Sequence, residues 1–248
     1  GYGSFEFKPV PNLKTIVGAR YESFVQRYTG RNRSKTINLE NEKVLDNSDI
    51  FPSVNLIYSL TEKMNLRFAY SKTIARPSFK EMSYAVIIDP ISEISFVGGL
   101  DDDFTIIDGD TLVLWDGNLQ STYIQNYDVR WEWYHGISNM ASISAFYKSF
   151  DKPIELVQYS RTQKTWIQPR NVGDGTVYGL EFEFRQSLDV LSVWLQDFGI
   201  IGNFTYLKSE IERSTEEIRS RRNTARAGET IDEYREMAGL PPYIINAG

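Results

Sequence analysis

The stretch FPSVNLIYSLTEKMNLRFAYS, residues 51–71, alternates apolar and polar residues on both sides of a short polar turn. Successive side chains of a β-strand point to opposite faces, so each half of the stretch presents one apolar face. The residues on that face are Val54, Leu56, Tyr58 and Leu60 in the first half and Met64, Leu66, Phe68 and Tyr70 in the second. Because the turn Thr61–Lys63 is so short, the stretch predicts an antiparallel hairpin of two long strands.

The same alternation recurs near the start and through the second half of the chain. The apolar faces there carry Val17, Ala19, Tyr21 and Val25; Tyr123, Tyr127, Val129, Trp131 and Trp133; Ile143, Ala145 and Tyr147; Tyr178, Leu180, Phe182 and Phe184; and Phe198, Ile200, Phe204 and Tyr206. Polar and charged residues fill most of the alternate positions. Counting a partial strand at each end, the pattern predicts about nine antiparallel strands.

The connections between these strands alternate between short and long. The short ones are Lys8–Asn12, Thr61–Lys63, His135–Asn139 and Gln186–Asp197, and the long ones are Gln26–Asn47, Lys72–Gln120, Ser149–Thr176 and Lys208–Pro241. Short turns at one end and long loops at the other are typical of outer-membrane barrels. Strands of about ten residues with aromatic ends favour that fold over a soluble β-sandwich, whose strands are nearer 5–6 residues. We therefore predict an all-β chain, an antiparallel transmembrane β-barrel with short periplasmic turns and long extracellular loops.

The last long connection, Lys208–Pro241, is rich in charge and lacks the alternation of the strands. It contains STEEIRSRR, residues 214–222, which is compatible with a short helix. The density of charge nevertheless favours a solvated loop for the whole segment.

The composition excludes several classes of function. The chain has no cysteine and one histidine, His135, so thiol chemistry and the usual histidine-based catalytic or metal sites are not expected. Its net charge of −6 argues against nucleic-acid binding. No apolar run approaches the ~20 residues of a transmembrane helix. Because no phosphate-binding loop or other catalytic motif is recognised, we predict that the protein is not an enzyme and has no cofactor.

Several segments resemble, in their order along the chain, one known family. The segment YSKTIARPSFKE, residues 70–81, is similar to the strand-to-loop signature of TonB-dependent outer-membrane receptors. Further segments similar to that family are NYDVRWEWY at 126–134, SAFYKSF at 144–150, PIE at 153–155, GLEFE at 179–183, NFTY at 203–206 and PPYIINAG at 241–248. The run Arg76–Phe79 resembles receptors of the Bacteroidetes group in particular.

The resemblance implies a fold, a location and a set of partners. Receptors of this family carry a plug domain inside a barrel of about 22 strands and import scarce solutes with energy relayed by TonB. The implied location is the bacterial outer membrane. The implied partners are outer-membrane lipid, the plug domain of the same protein, TonB, a small-molecule or oligomeric substrate and, in some members, a surface lipoprotein; nucleic acid is not among them. No TonB box, plug domain or final strands are recognised, so we expect residues 1–248 to form a partial barrel domain.

These implications lead to one predicted function and two alternatives. The predicted function is that of part of a TonB-dependent transporter, whose loops capture a siderophore, a vitamin, a glycan or a peptide. A passive porin would need neither plug nor TonB. A barrel that serves as a scaffold for other cell-envelope proteins would use the long loops as contact surfaces.

Five residues on loops or lumen-facing positions are the candidate substrate contacts. They are Arg76, Trp115, Asn126, Asp128 and Arg130. For Arg76, which precedes a proline, the role of a paired residue at a strand end is favoured over a ligand role. The ring of Trp115 either stacks on a ligand or anchors its loop.

The remaining charged residues raise two further expectations. The lumen-facing charges mix both signs on neighbouring strands, which favours a ladder of paired charges over direct substrate contact; these residues are Arg67, Asp128, Arg130, Glu132, Glu181, Glu183 and Arg185. The aspartates of one long loop form a candidate calcium site, comprising Asp101, Asp103, Asp108 and Asp110. Their spacing does not match an EF-hand, so a solvated acidic surface is favoured there.

Overall fold

Nearly all of the regular structure is β-strand. The computed structural model describes residues 1–107, 110–136, 138–161, 164–226 and 228–248. Its strands are β1 Tyr2–Val10, β2 Leu13–Arg31, β3 Asn38–Thr61, β4 Met64–Ala75, β5 Val86–Ile88, β6 Ser95–Val97, β7 Asp103–Ile107, β8 Asp110–Trp115, β9 Thr122–Tyr134, β10 Met140–Asp151, β11 Ile154–Arg161, β12 Lys164–Asn171, β13 Gly175–Ser187, β14 Gly199–Glu212, β15 Tyr234–Arg235 and β16 Tyr243–Ala247. Two 3-10 helices, Leu188–Val190 and Val193–Leu195, precede the α-helix α1, Thr215–Thr224. None of the described helices is long and apolar enough to cross a membrane.

One large antiparallel sheet contains all of the long strands. Its order is β1-β2-β3-β4-β9-β10-β13-β14, and both β15 and β16 pair with β14. Leaving aside the two-residue β15, nine of its ten strands form what we call the wall, which confirms the strand count and the all-β antiparallel prediction. The sheet has β1 at one edge and β16 beside β14 at the other, and the described strands do not close it into a barrel.

The register places the apolar side chains of the wall on one exposed face. In the hairpin of β3 and β4, Leu56 lies opposite Phe68, so both strands present their apolar residues to the same side. Leu180 and Phe182 on this apolar face are 43% and 46% exposed, whereas Glu132 on the opposite, polar face is 5% exposed. A soluble β-protein buries its apolar face, so this distribution is that of a sheet whose apolar side meets lipid.

A row of tyrosines crosses the apolar face at one level. Tyr70, Tyr127, Tyr147 and Tyr178 lie opposite one another on the consecutive strands β4, β9, β10 and β13. The ring centroids are 5.1 Å apart for Tyr70 and Tyr127 and 6.2 Å apart for Tyr127 and Tyr147. Amphipathic rings aligned at one level are typical of the membrane–water interface. The row lies at the level expected for the boundary of a lipid-facing band, on the side of the long connections.

The two central long connections, Lys72–Gln120 and Ser149–Thr176, contain short strands that the sequence analysis did not predict. Strands β5 and β6 of the first connection and β11 and β12 of the second form a four-stranded sheet in the order β11-β12-β6-β5. The pairing of β12 with β6 is parallel, and β7 with β8 forms a separate hairpin. We call the described parts of residues 76–121 and 152–174 the cap. Each connection forms an antiparallel hairpin of its own, and the pairing of β6 with β12 joins the two hairpins into one sheet.

The other two predicted loops are also largely regular. In place of the loop Gln26–Asn47, β2 and β3 continue as a paired ribbon and leave residues 32–37 as the turn. The segment Lys208–Pro241 contains the end of β14, α1 and β15, so the prediction of a solvated loop is wrong for residues 208–224, whereas most of the described residues from 225 to 241 are exposed and irregular. The helix begins at Ser214, whose Oγ accepts a hydrogen bond from the amide of Glu217 at 3.2 Å.

Three small hydrophobic clusters stabilise the cap, and the first and third also contain residues of the wall. The first contains Leu45, Met82 and Leu119, the second Val97, Tyr159 and Trp166, and the third Val157, Val172 and Ile211. Phe24 of β2 packs against the first cluster. Phe24 alternates with Val25, so the cap contacts the polar face of the wall and folds inward over it.

Candidate substrate-facing surface

The polar face of the wall carries a ladder of paired charges. Arg67 and Arg130 stand directly opposite each other on β4 and β9, a like-charge pair that alone would destabilise the sheet. Glu132 lies between them, with Oε2 2.7 Å from Arg67 Nε and Oε1 3.0 Å from Arg130 Nε. Arg130 Nη2 is also 2.6 Å from Glu183 Oε2, two strands away. These pairs confirm the predicted ladder for Arg67, Arg130, Glu132 and Glu183, and they engage Arg130, one of the candidate substrate contacts.

Hydrogen bonds extend the ladder across β13, β14 and β16. Arg185 Nη2 is 3.4 Å from Glu183 Oε1. Glu181 Oε1 accepts a hydrogen bond from Asn203 at 2.8 Å, and the Oδ1 of Asn203 accepts one from Asn246 at 2.9 Å. The polar face is thus cross-linked from β4 to β16.

Gly179 allows a close approach within this ladder. It lies on β13 opposite Phe146 of β10. A Cβ atom at Gly179 would be 2.8 Å from Phe146 Cζ and 2.3 Å from the carbonyl oxygen of Tyr206. The glycine therefore lets a phenyl ring lie flat against the wall between charged neighbours.

Asn126 and Asp128, both candidate contacts on β9, differ in how they are held. Asn126 Nδ2 donates to the carbonyl oxygen of Ser71 and to Thr73 Oγ1, each at 3.2 Å. Asp128 is exposed and makes no hydrogen bond or ion pair with the described residues. Asp128 therefore takes no part in the predicted ladder, and its carboxylate is exposed on the polar face.

Arg76 joins the start of the cap to the wall. Its Nη2 is 2.8 Å from Glu22 Oε2, and its guanidinium lies 4.9 Å from the ring centroid of Phe24. Pro77 follows and cannot donate to a ladder, which explains why β4 ends at Ala75. The structure thus shows Arg76 in the role favoured from the sequence, a paired residue at a strand end.

The interior of the cap contains a buried ion pair. Arg170 Nη2 is 2.9 Å from Asp103 Oδ2, and the two side chains are 3% and 6% exposed. Arg170 Nε donates to Gln168 Oε1 at 2.8 Å, and Gln168 Nε2 donates to the carbonyl oxygens of Gly98 and Asp101 at 2.9 and 2.7 Å. Buried charges are tolerated when they are paired and hydrogen-bonded in this way. The prediction of a solvated acidic surface is wrong for Asp101 and Asp103, because both are buried.

The same guanidinium lies over an aromatic ring. Arg170 Cζ is 4.3 Å from the ring centroid of Tyr159, a residue that is 8% exposed. Burial raises the pKa of Tyr159 to about 12, although the positive charge of Arg170 acts in the opposite direction. The phenol therefore stays neutral around neutral pH and leaves the positive charge of Arg170 to be balanced by a carboxylate.

Trp115 anchors its loop and also lines a cleft. Its Nε1 donates to the carbonyl oxygen of Gly99 at 2.8 Å, and its ring packs against the first hydrophobic cluster. With Asn171, Glu212 and Arg213 it lines a cleft of about 370 Å³ between the cap and the end of β14. The anchoring role is therefore shown, and the predicted ligand contact stays a prediction.

A second cleft opens on the cap sheet and is mainly apolar. Its volume is about 320 Å³, and its lining includes Ala85, Ile87, Phe96, Val97, Leu156, Ile167 and Pro169. Small-molecule sites have volumes of roughly 300–1,000 Å³ and a similar mixture of apolar surface with a few polar groups. Lys80 and Glu81 supply charged groups here.

The candidate calcium site stays a prediction. Asp103 is held by Arg170, and Asp108 lies outside the described residues. Within the described ranges, no group of three or more histidine, cysteine, aspartate or glutamate side chains is placed to hold a metal ion.

Sequence reasoning missed the residues that hold the cap together. Besides Arg170 and Gln168, Arg235 of β15 pairs with Glu155 of β11 and Glu217 of α1 and so ties three segments together. Polar and apolar residues of β12 alternate only over residues 167–170, and the sequence contains no signal for which face of a loop hairpin is buried.

A known protein family matches this chain along its whole length. The model of the family described as TonB dependent receptor-like, beta-barrel, matches residues 1–248. No curated protein sequence matches it. The solved structure of the siderophore receptor PirA from Pseudomonas aeruginosa is similar with a TM-score of 0.55 and 15% identity, over 87% of this chain and 37% of that one.

Two further solved structures show the same likeness. A mutant of the ferric enterobactin receptor PfeA from Pseudomonas aeruginosa, in complex with enterobactin, has a TM-score of 0.53 and 14% identity, over 87% of this chain and 30% of that one. The FrpB iron transporter from Neisseria meningitidis has a TM-score of 0.52 and 12% identity, over 87% and 26%. The chain thus spans between 26% and 37% of the length of these proteins, and at such identities the likeness is one of fold.

Proposed function

The chain belongs to the TonB-dependent receptor β-barrel family, and we propose that it forms part of the wall and the extracellular cap of an outer-membrane transporter. The family consists of receptors and transporters of the bacterial outer membrane, which are not enzymes, in agreement with the sequence prediction. In this proposal the other strands, the plug domain and the TonB-contacting segment lie elsewhere in the same protein. A scarce solute binds at the cap and passes inward when TonB displaces the plug.

The observation that carries the proposal is the inward fold of the cap over the polar face. Arg76 pairs with Glu22, and Ser121 Oγ lies 2.8 Å from Asn47 Oδ1, so both ends of the first cap connection are fastened to β2 and β3. A passive porin needs an open lumen. A folded cap with two clefts supports capture of a ligand in preference to free diffusion.

The substrate class is proposed from a panel of four: ferric siderophores, cobalamin-like vitamins, oligosaccharides and peptides. Ferric siderophores come first, because PirA is a siderophore receptor and PfeA a ferric enterobactin receptor. The clefts beside Trp115 and on the cap sheet are the proposed points of first contact, and the open carboxylate of Asp128 lies on the proposed path below them.

Uptake with and without TonB tests this function. Cells that lack their own uptake systems express the full-length protein, and accumulation of each labelled panel member is measured in strains with and without a functional TonB. We expect one class to accumulate in the TonB-containing strain alone. Equal uptake in both strains would establish a passive channel. Absence of uptake of every class, with other envelope proteins bound to the cap, would establish a scaffold.

A matched pair of variants tests the path. Asp128→Asn removes the open charge on the polar face, and Asp197→Asn removes an exposed charge in the connection between β13 and β14. We expect the first substitution to change the apparent affinity of uptake and the second to leave it unchanged. Equal behaviour of the two variants would remove Asp128 from the proposed path.

A further inference from the structure

One connection at the turn end of the wall differs from its neighbours. Two residues each, 11–12 and 62–63, separate β1 from β2 and β3 from β4, whereas residues 188–198 contain two consecutive 3-10 helices. We call residues 188–198 the β13–β14 turn. Its exposed apolar side chains are Val190 at 66%, Leu191 at 73%, Val193 at 76%, Trp194 at 92% and Phe198 at 62%. So many large apolar groups gathered on one short surface segment indicate a contact with something apolar.

The backbone of this turn is satisfied internally. Leu188 N donates to the carbonyl oxygen of Phe198 at 2.9 Å, and Phe198 N donates to that of Leu195 at 3.0 Å. A serine side chain at the start of each 3-10 helix accepts a further amide hydrogen bond. A segment that leaves water must satisfy its amide groups within itself, because lipid offers no partners. The β13–β14 turn meets this requirement to a large extent.

The apolar side chains of the turn continue the apolar face of the wall. Phe198 lies two residues before Ile200 and so falls in the same alternation. On the neighbouring strands, the ring of Trp133 lies 4.6 Å from that of His135, whose Nε2 is 2.9 Å from Gln186 Oε1 beside the turn. The apolar face of β14 therefore continues through Phe198 into the β13–β14 turn.

We propose that the β13–β14 turn inserts its apolar side chains into the lipid interface of the periplasmic leaflet and anchors the wall there. This rests on the proposed function, because it requires the wall to span the outer membrane with its short turns on the periplasmic side. The indole of Trp194 suits the headgroup level, and the valine and leucine side chains suit the boundary with the acyl chains. The exposed carboxylates of Asp189 and Asp197 remain on the water side and keep the insertion shallow.

Single-cysteine labelling tests this placement, since the chain contains no cysteine of its own. The full-length protein, with any cysteine outside this chain changed to serine, is reconstituted in vesicles of phosphatidylethanolamine and phosphatidylglycerol. A polarity-sensitive fluorophore is attached at Trp194→Cys, with Phe182→Cys on the apolar face and Glu62→Cys in a two-residue turn as controls. Nitroxide-bearing lipid and aqueous iodide serve as the two quenchers. Because Trp194 is 92% exposed, its replacement removes little packing within the chain.

We expect the label at position 194 to be quenched by nitroxide lipid severalfold more than the label at 62, and to be protected from iodide. If the label at 182 is quenched by lipid while the label at 194 responds to iodide alone, the anchor is overturned and the membrane-spanning wall stands. If the label at 182 is not quenched by lipid either, the proposed wall fails and the anchor fails with it.

Discussion

Replacing Arg170 with methionine should open the cap and leave the wall folded. Methionine keeps most of the apolar length of the side chain but removes the charge, so the carboxylate of Asp103 loses its ion pair while only 6% exposed. The same substitution removes the hydrogen bond that Gln168 Oε1 accepts from Arg170, although Gln168 Nε2 still donates to two carbonyl oxygens. The perturbation is therefore confined to the interior of the cap.

The expected magnitude follows from burial. Breaking a buried ion pair by removal of one partner costs about 3–5 kcal/mol, and each 1.4 kcal/mol is about a factor of ten in an equilibrium constant. The local opening of the cap should therefore become about 100 to several thousand times more favourable. The free energy of local opening is smaller than that of global unfolding, which is about 5–15 kcal/mol. A loss of about 3–5 kcal/mol is therefore a large part of the free energy that keeps the cap closed.

Hydrogen exchange read by mass spectrometry measures this effect in the full-length protein. Peptides from β11 and β12 should exchange at least about 100 times faster in Arg170→Met, while peptides from β9 and β10 should be unchanged. Arg185→Met is the matched control, because Arg185 is 53% exposed and 3.4 Å from its partner, and such pairs contribute about 0–1 kcal/mol. The double substitution Arg170→Met with Asp103→Leu should recover part of the protection. Unchanged exchange in Arg170→Met would refute the assignment of this ion pair as the support of the cap.

Three other predictions follow from the geometry. In the folded protein the pKa of Tyr159 is about 12, above the ordinary value of 10.0, so the stability of the cap should be full below pH 10.0 and fall as the pH rises toward 12. A near-ultraviolet difference titration against Tyr159→Phe measures the pKa of this phenol, and a value near 10.0 would contradict the prediction. Gly179→Ala should reduce the yield of folded protein on unheated gels, because the new Cβ atom would lie 2.3 Å from a carbonyl oxygen. The control Gly202→Ala, whose Cβ atom would be 3.9 Å from the nearest atom, should leave the yield unchanged, and equal yields of the two variants would contradict this prediction. Glu132→Gln should lower the free energy of unfolding by about 1–3 kcal/mol, since two facing arginines lose the carboxylate between them, and Glu181→Gln should cost less; denaturant titration compares the two variants.

The wall could be predicted from the sequence because its two faces meet two different environments. Along residues 51–71 every second side chain is apolar, and the register places these side chains on one exposed face. Two aromatic residues that the alternation places near strand ends, Tyr70 and Tyr147, lie in the row of tyrosines, since a ring with one polar group favours an interface. The mixed charges of the polar face likewise predicted the ladder around Glu132.

The cap and the ribbon could not be predicted in this way. Residues 26–47 form strands that stand beyond the apolar band, so their faces lack the alternation that distinguishes lipid from lumen. In the cap, Ser95 pairs with Trp166, and no local pattern connects positions so far apart in sequence. The helix after Ser214 did carry a signal, a capping serine with a glutamate three residues later, but its charge outweighed that signal in the prediction.

The shared sheet of the cap has a consequence for any attempt to change specificity by exchanging loops. Strands β6 and β12 come from different connections and pair with each other, so a graft that replaces residues 76–121 alone would leave β12 with an unmatched edge. The unit that can be transplanted is the pair of connections together, with Arg170 and Asp103 as its internal fastening. Substitutions within a single connection are instead restricted to the side chains that line the clefts. Such substitutions can change which ligand is bound while the backbone of the cap stays the same.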